Sequence, residues 1–224
     1  MGALNTSKHV VATLSAGPAW QSSGRTQRLF LTPAIEKSYV ANQATNVFAE
    51  GELFLGTQKN LTNQWIGQIG LALMATSAAR LSGDIWDDAD PQFNNYTYDY
   101  KVNHAHLAVK GKLFLDRGYW LMPWVSGSAG VGFNRARDYV NTPTIFEAVV
   151  NPDFADHTET AFTYTLGLGL QRNLNANWQL GVGYEFADWG RSSLGRAPGQ
   201  TLNTGLSLNH LYTNGVLFNI SYIA

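Results

Sequence analysis

The chain predicts an all-β fold, an eight-stranded antiparallel transmembrane β-barrel built as an up-and-down meander. It would occupy 1–224 as a single domain, with a short N-terminal tail over about 1–8. Eight segments alternate apolar with small or polar residues at every second position, which is the period of a strand whose two faces meet different surroundings. Their connections sort by length. Gln58 to Asn63, Asp116 to Gly118 and Asn173 to Ala176 are tight, whereas Gln21 to Gln43, Ser77 to Thr97, Arg135 to Thr158 and Arg191 to Leu206 are long and polar. Short turns at one end and long loops at the other suit a barrel with a different compartment on each side.

Each segment follows from its parity, because a slip of one residue would exchange every side chain between the two faces. The first sets Val10, Ala12, Leu14, Ala16 and Pro18 against Val11, Thr13, Ser15 and Gly17. The second places Val47, Ala49, Gly51, Leu53 and Leu55 outward and Phe48, Glu50, Glu52 and Phe54 inward. The third gives Trp65, Gly67, Ile69, Leu71 and Leu73 to the outside and Gln68, Ala72 and Met74 to the inside. In the fourth, Ala105, Leu107, Val109, Leu113 and Leu115 lie opposite His104, His106, Lys110 and Lys112. The fifth alternates Leu121, Pro123, Val125, Ala129, Val131 and Phe133 with Met122, Trp124, Ser126 and Ser128. The sixth, seventh and eighth turn Phe162 to Leu170, Trp178 to Phe186 and Val216 to Tyr222 outward at every second residue. No Asp, Glu, Lys or Arg falls on the outward parity of these spans, where Lys or Arg at mid-bilayer would cost roughly 2–4 kcal/mol.

Composition supports this reading and excludes others. Of 224 residues 45% are apolar, yet no run approaches the roughly 20 consecutive apolar residues of a membrane-crossing helix. The 22 glycines suit a crowded interior, and the 7 tryptophans and 10 tyrosines suit interfacial belts. Without cysteine there is neither a disulfide framework nor thiolate chemistry. A formal net charge of −1 supplies no basic field for nucleic acid. The start, Met1 to Asn5, lacks the basic and apolar regions of a secretory signal, so a mature form with an added initiator is expected.

Chemistry is expected in three places. Glu50, Glu52, Lys110, Lys112 and Glu185 point inward at similar depth and should pair as a salt-bridged plug, since an unpaired buried charge costs several kcal/mol. A narrow conducting path through the same charges is the alternative. His104 and His106 share the inner face one strand step apart, a geometry open to metal or proton transfer, although no third ligand is spaced beside them. In the second long connection, Asp84, Asp87, Asp88 and Asp90 offer carboxylates to a divalent cation without the regular loop of an EF-hand. Arg25, Arg28, Lys37, Arg191 and Arg196 lie in the first and fourth connections, where lipopolysaccharide phosphates would stand.

From about Tyr119 onward the chain resembles the OmpA-type and opacity-type small outer-membrane barrels. The resemblance is carried by Val125 to Phe133, by Gly167-Leu168-Gly169 and by Asn177 to Phe186. It implies eight strands, a bacterial outer-membrane location and both termini in the periplasm. Such barrels commonly end on an aromatic residue, whereas this chain ends Ser221-Tyr222-Ile223-Ala224. Asn209 to Gly215 also resembles the His-x-Ser-Asn stretch of lipid A deacylases, with His210 in place but Tyr212 where the serine belongs. Thr213 or Ser207 would then have to serve as nucleophile.

The expected function is therefore a non-enzymatic surface barrel, largely closed inside, with four long loops for envelope integrity, adhesion or host contact. A lipid A-modifying enzyme and a narrow pore are the alternatives. Expected partners are outer-membrane lipid, lipopolysaccharide and an extracellular ligand. No cofactor, resident metal or nucleic acid is expected, and the chain should be a monomer because a closed barrel has no free edge.

Overall fold

The computed structural model describes residues 8–22, 24–43, 45–149 and 151–224. They form β1 (Lys8–Gln21), β2 (Gln27–Thr32), β3 (Ile35–Ala41), β4 (Val47–Asn60), β5 (Trp65–Thr76) and β6 (Ala79–Asp87). After a single 3-10 turn at Pro91–Phe93 come β7 (Asn94–Leu115), β8 (Met122–Pro143), β9 (His157–Asn173) and β10 (Trp178–Asp188). Two short strands, β11 (Ser192–Ser193) and β12 (Ser207–Leu208), precede β13 (Tyr212–Ile223).

Eleven strands make one antiparallel sheet in the order β2-β3-β6-β7-β5-β4-β1-β13-β10-β9-β8. An additional β7–β8 pairing joins eight of them in a ring, but the ring is not evenly curled, and β6, β3 and β2 extend the sheet beyond it. This corrects the expected eight-stranded closed barrel. The cause lies in the long connections, where the chain continues as strand. β7 is 22 residues long; Ala105 to Leu115 pair with β5 and Asn94 to Val102 pair with β6. β8, equally long, follows β7 from Phe114↔Trp124 to Tyr96↔Pro143.

All eight predicted alternations hold. Val10, Ile69, Phe162 and Phe218 are more than 60% exposed, whereas Val11, Gln68, Thr163 and Ser221 are buried. The three tight turns close on short polar side chains, which mimic a backbone turn. Thr62 Oγ1 accepts the amides of Gln64 and Trp65, Asp116 Oδ1 that of Gly118, and Asn175 Oδ1 those of Asn177 and Trp178. Gly118 sits at φ +77°, a conformation glycine adopts without strain.

The four connections expected as loops are largely built structure. With the upper parts of β7 and β8, strands β2, β3 and β6 form a head around an apolar core. Trp189, Leu194, Leu206 and Leu211 of the fourth connection pack there with Tyr39, Tyr98, Tyr100, Tyr139 and Phe154. The aromatic rings meet edge-on and stacked, Tyr39 to Tyr98 at 5.8 Å and Tyr98 to Tyr139 at 6.2 Å between centroids. None of the described helices is long and apolar enough to cross a membrane.

Candidate functional site

Inside the ring the polar parity of β4, β7 and β10 converges. Lys110 Nζ lies 2.8 Å from both carboxylate oxygens of Glu52 and 2.8 Å from Glu185 Oε2, so three donors meet two carboxylates. All three side chains are more than nine-tenths buried. Burial of this degree makes the pairing obligatory, since removing either partner leaves an uncompensated charge. The space left around this cluster is ≈ 30 Å³, room for about one water.

The other two members of the expected network lie beside this cluster and are not among its ion pairs. Lys112 Nζ donates to Gln171 Oε1 at 2.8 Å and lies 4.0 Å over the Trp124 ring. Glu50 is buried, and its Oε1 has no hydrogen-bond partner among the described residues. Trp124, placed inward by its parity, explains several glycines. A Cβ on Gly183 or Gly169 would stand 2.3 or 2.6 Å from Trp124 Cζ2, so the indole fills the space those residues leave. Spacing alone could not show which strands the indole crosses.

His104 and His106 do come together. His104 Nε2 lies 2.9 Å from His106 Nδ1, and His104 Nδ1 lies 2.7 Å from Asn134 Oδ1. The His104 ring stacks on Trp189 at 4.5 Å, 4° from parallel. This links the ring's polar interior to the head core. Among the described residues no group of three His, Asp or Glu side chains is arranged to hold a metal ion.

The aspartates of the second connection separate. Asp87 binds Lys37 through Oδ1 and Asn95 through Oδ2, at 2.5 and 2.9 Å. Asp90 Oδ1 caps the 3-10 turn at Gln92, and Asp88 adopts φ 50° in the turn beside it. Asp84 lies on β6, three residues before Asp87 and so on the opposite face of the strand. The structure does not assemble them into one site.

His210 has a partner that spacing did not indicate. Its Nδ1 lies 2.7 Å from Asp188 Oδ2, and Asp188 Oδ1 accepts the Gly190 amide at 2.8 Å. Asp188 is buried at the end of β10 while His210 remains largely exposed. The imidazole stacks on Tyr212 at 5.5 Å, and Tyr212 on Phe186 at 5.7 Å. Thr160, Phe162, Tyr164, Arg191 and Asn209 line the adjoining groove of ≈ 610 Å³. A carboxylate-held imidazole can orient a proton transfer, but neither expected nucleophile joins it. Thr213 points into the ring and is buried, and Ser207 is held by Gln27 Oε1 at 3.2 Å.

Of the basic residues expected near lipid phosphates, Lys37 is buried, Arg28 pairs with Glu36, and Arg191 is 72% exposed at 3.5 Å from Glu159.

No protein-family model matches the chain, and no curated protein matches it. Among solved structures, Neisserial surface protein A is similar at TM-score 0.50 and 10% identity, covering 95% of this chain and 96% of that one. The outer membrane protease OmpT from Escherichia coli is similar at TM-score 0.51 and 7% identity, covering 100% and 99%. At these identities the likeness is of fold. That likeness of fold singles out neither the OmpA nor the opacity group.

Proposed function

We propose that the chain is an integral protein of a bacterial outer membrane, in which the ring crosses the bilayer and the head stands outside. The observation that carries this reading is the polarity of the ring. Its outward face is apolar along every strand, as lipid requires, and its interior is closed by Lys110, Glu52 and Glu185 around a cavity of ≈ 30 Å³. Aromatic residues mark both edges of the apolar band, Trp65, Trp120, Trp178 and Tyr222 at the turn end and Phe133, Phe162, Phe186 and Tyr212 at the head end. Both termini then lie in the periplasm, with the tight turns.

The protein neither conducts nor catalyses in this reading. It presents the head for contact with the envelope or with another surface. The head carries a concentrated apolar tip: Phe146 is 100% and Val149 80% exposed, beside Ile145 at 44%, in a segment between β8 and β9. Exposed clusters of this kind mark interaction sites. The test is twofold. Purified protein in planar bilayers should give no conductance steps, and cells displaying Phe146→Ser with Val149→Ser should lose most of the attachment that wild-type cells show to matrix-coated surfaces. Conductance steps, or attachment unchanged by the double substitution, would reject the reading.

The His210–Asp188 pair favours a second reading, hydrolysis of lipid A acyl chains at the groove beside Phe162 and Tyr164. Mass spectra of lipid A from membranes with wild type, His210→Ala or no protein decide it. An acyl pattern changed by wild type alone would install the enzyme, and three identical spectra would remove it.

A further inference from the structure

The head contains a second built cavity, of ≈ 260 Å³, just below the roughly 300–1,000 Å³ of ordinary small-ligand sites. One wall is the β2–β3 hairpin through Leu31 and Ile35, and the opposite wall is the turn Ala197 to Gln200 from the fourth connection. The two walls are tied together beside the mouth. The amides of Thr201 and Leu202 donate to the Leu31 carbonyl at 2.9 and 3.1 Å, and Asn203 Nδ2 donates to the Phe30 carbonyl at 2.8 Å. The floor is aromatic, with the Phe154 ring 5.5 Å from that of Tyr39 and 4.9 Å from that of Tyr139.

Among the polar side chains of the lining, Lys37 and Asn151 bring N–H donors. Lys37 lines the cavity with its side chain only 8% exposed. Its ammonium has three N–H groups, of which Asp87 Oδ1 accepts one, and the Tyr96 ring centroid lies 4.9 Å away. Asp87 itself is committed on both oxygens, to Lys37 and to Asn95. Asn151, also on the lining, has a buried Nδ2 near the Tyr96 phenol that makes no hydrogen bond of ordinary geometry among the described residues. A buried donor without an acceptor is costly, so Lys37 and Asn151 together leave a place for an acceptor. Gln200 offers none in return. Its oxygen accepts the Ala197 amide at 2.9 Å, and its nitrogen donates to the Leu202 and Thr204 carbonyls at 2.8 and 3.0 Å.

We propose that this cavity binds a small aromatic carboxylate, its ring on Tyr39, Tyr139 and Phe154 and its carboxylate on Lys37 and Asn151. A sugar carries no anionic end to meet the Lys37 ammonium, and the floor here is aromatic. An aromatic acid matches both: a planar apolar body and a single anionic end, which takes charge-assisted hydrogen bonds from the ammonium. Which compartment supplies the ligand rests on the orientation proposed above. Binding in detergent micelles does not, so the cavity and the orientation can fail separately.

The experiment titrates benzoate into the micellar protein and follows the tyrosine ring NMR signals. Saturable shifts are expected, with benzyl alcohol, the neutral analogue, binding at least roughly tenfold more weakly, about 1.4 kcal/mol. Two variants locate the site. Lys37→Met with Asp87→Asn removes the ammonium without stranding its partner, and Ile35→Trp obstructs the mouth while leaving the ion pair in place. Each should weaken benzoate by about tenfold or more. Absence of saturable shifts, equal binding of benzyl alcohol, or benzoate affinity unchanged in either variant would overturn the proposal.

Discussion

The two halves of β7 are opposites. From Ala105 to Leu115 the strand turns Leu107, Val109 and Leu113 outward and Lys110 inward, beside Glu52 and Glu185. From Asn94 to Asn103 it turns Thr97, Asp99 and Lys101 outward and buries Tyr96, Tyr98, Tyr100 and Val102. The backbone is continuous and the parity does not slip, yet the polarity of both faces inverts between Asn103 and Ala105. β8 changes its outward face likewise between Phe133 and Arg135, and its parity then shifts at a bulge by Asp138, which turns Tyr139 and Asn141 inward. Such an inversion is what the proposed passage of one sheet from lipid into water would require. In lipid the polar groups have to be satisfied inside, and in water the apolar groups have to be hidden there. Ring and head therefore use one pattern with opposite contents.

The difference can be broken at its strongest points first. Lys110→Met should destabilise the ring by about 3–5 kcal/mol by leaving two carboxylates without their cation, and adding Glu52→Gln and Glu185→Gln should restore most of that; urea unfolding in micelles measures both. Trp189→Ala should cost a similar ~3–5 kcal/mol, mostly in the head, where most of its apolar neighbours lie. Limited proteolysis should then cut the fourth connection while the ring keeps its folded electrophoretic mobility.

A lipid-facing charge sharpens the contrast. Leu168→Arg should cost roughly 2–4 kcal/mol in lipid, whereas Thr97→Arg on the outer face of the head should stay within about 0.5 kcal/mol. Equal effects at the two positions would deny that they face different solvents.

Alkali should separate the halves as well. Burial raises the phenols of Tyr39, Tyr98, Tyr100 and Tyr139 above their ordinary value. Their neutral forms are favoured in the folded head. The stability they lend is complete below the unfolded value of about 10 and is lost as pH rises beyond it. Tyrosinate absorbance should appear together with loosening of the head, while strand content of the ring persists. Titration of all ten tyrosines near the ordinary value, with the head intact, would contradict this.

Much of the ring was legible because its apolar outward face sets a strict rule on every second residue. Leu107, Leu168 and Phe218 could be assigned to the outside, and Lys110 and Glu52 to the inside, from parity alone. The head was misread as loops for the same reason. Tyr96, Tyr98 and Tyr100 also alternate, but with polar partners, and that pattern looks like a polar connection when a barrel strand is the template. The sites divide along the same line. The pairing of Lys110 with Glu52 and Glu185 needed only shared depth and sign. His210 was visible as a residue, whereas Asp188, 22 positions earlier, becomes its partner only because β10 and β13 lie side by side, with Asp188 opposite Tyr212.

By itself, the sequence determined the period, the inward and outward faces of eight strands, the tight turns and the apolar band. These depend on local alternation and on the solvent each face must meet. Tertiary structure alone decided that the sheet continues past the ring, that the fourth connection folds into an aromatic core, and that Lys37 and Phe154 line one cavity. Those outcomes depend on which distant segments pair, and strand pairing across the long connections leaves no fixed spacing in the chain.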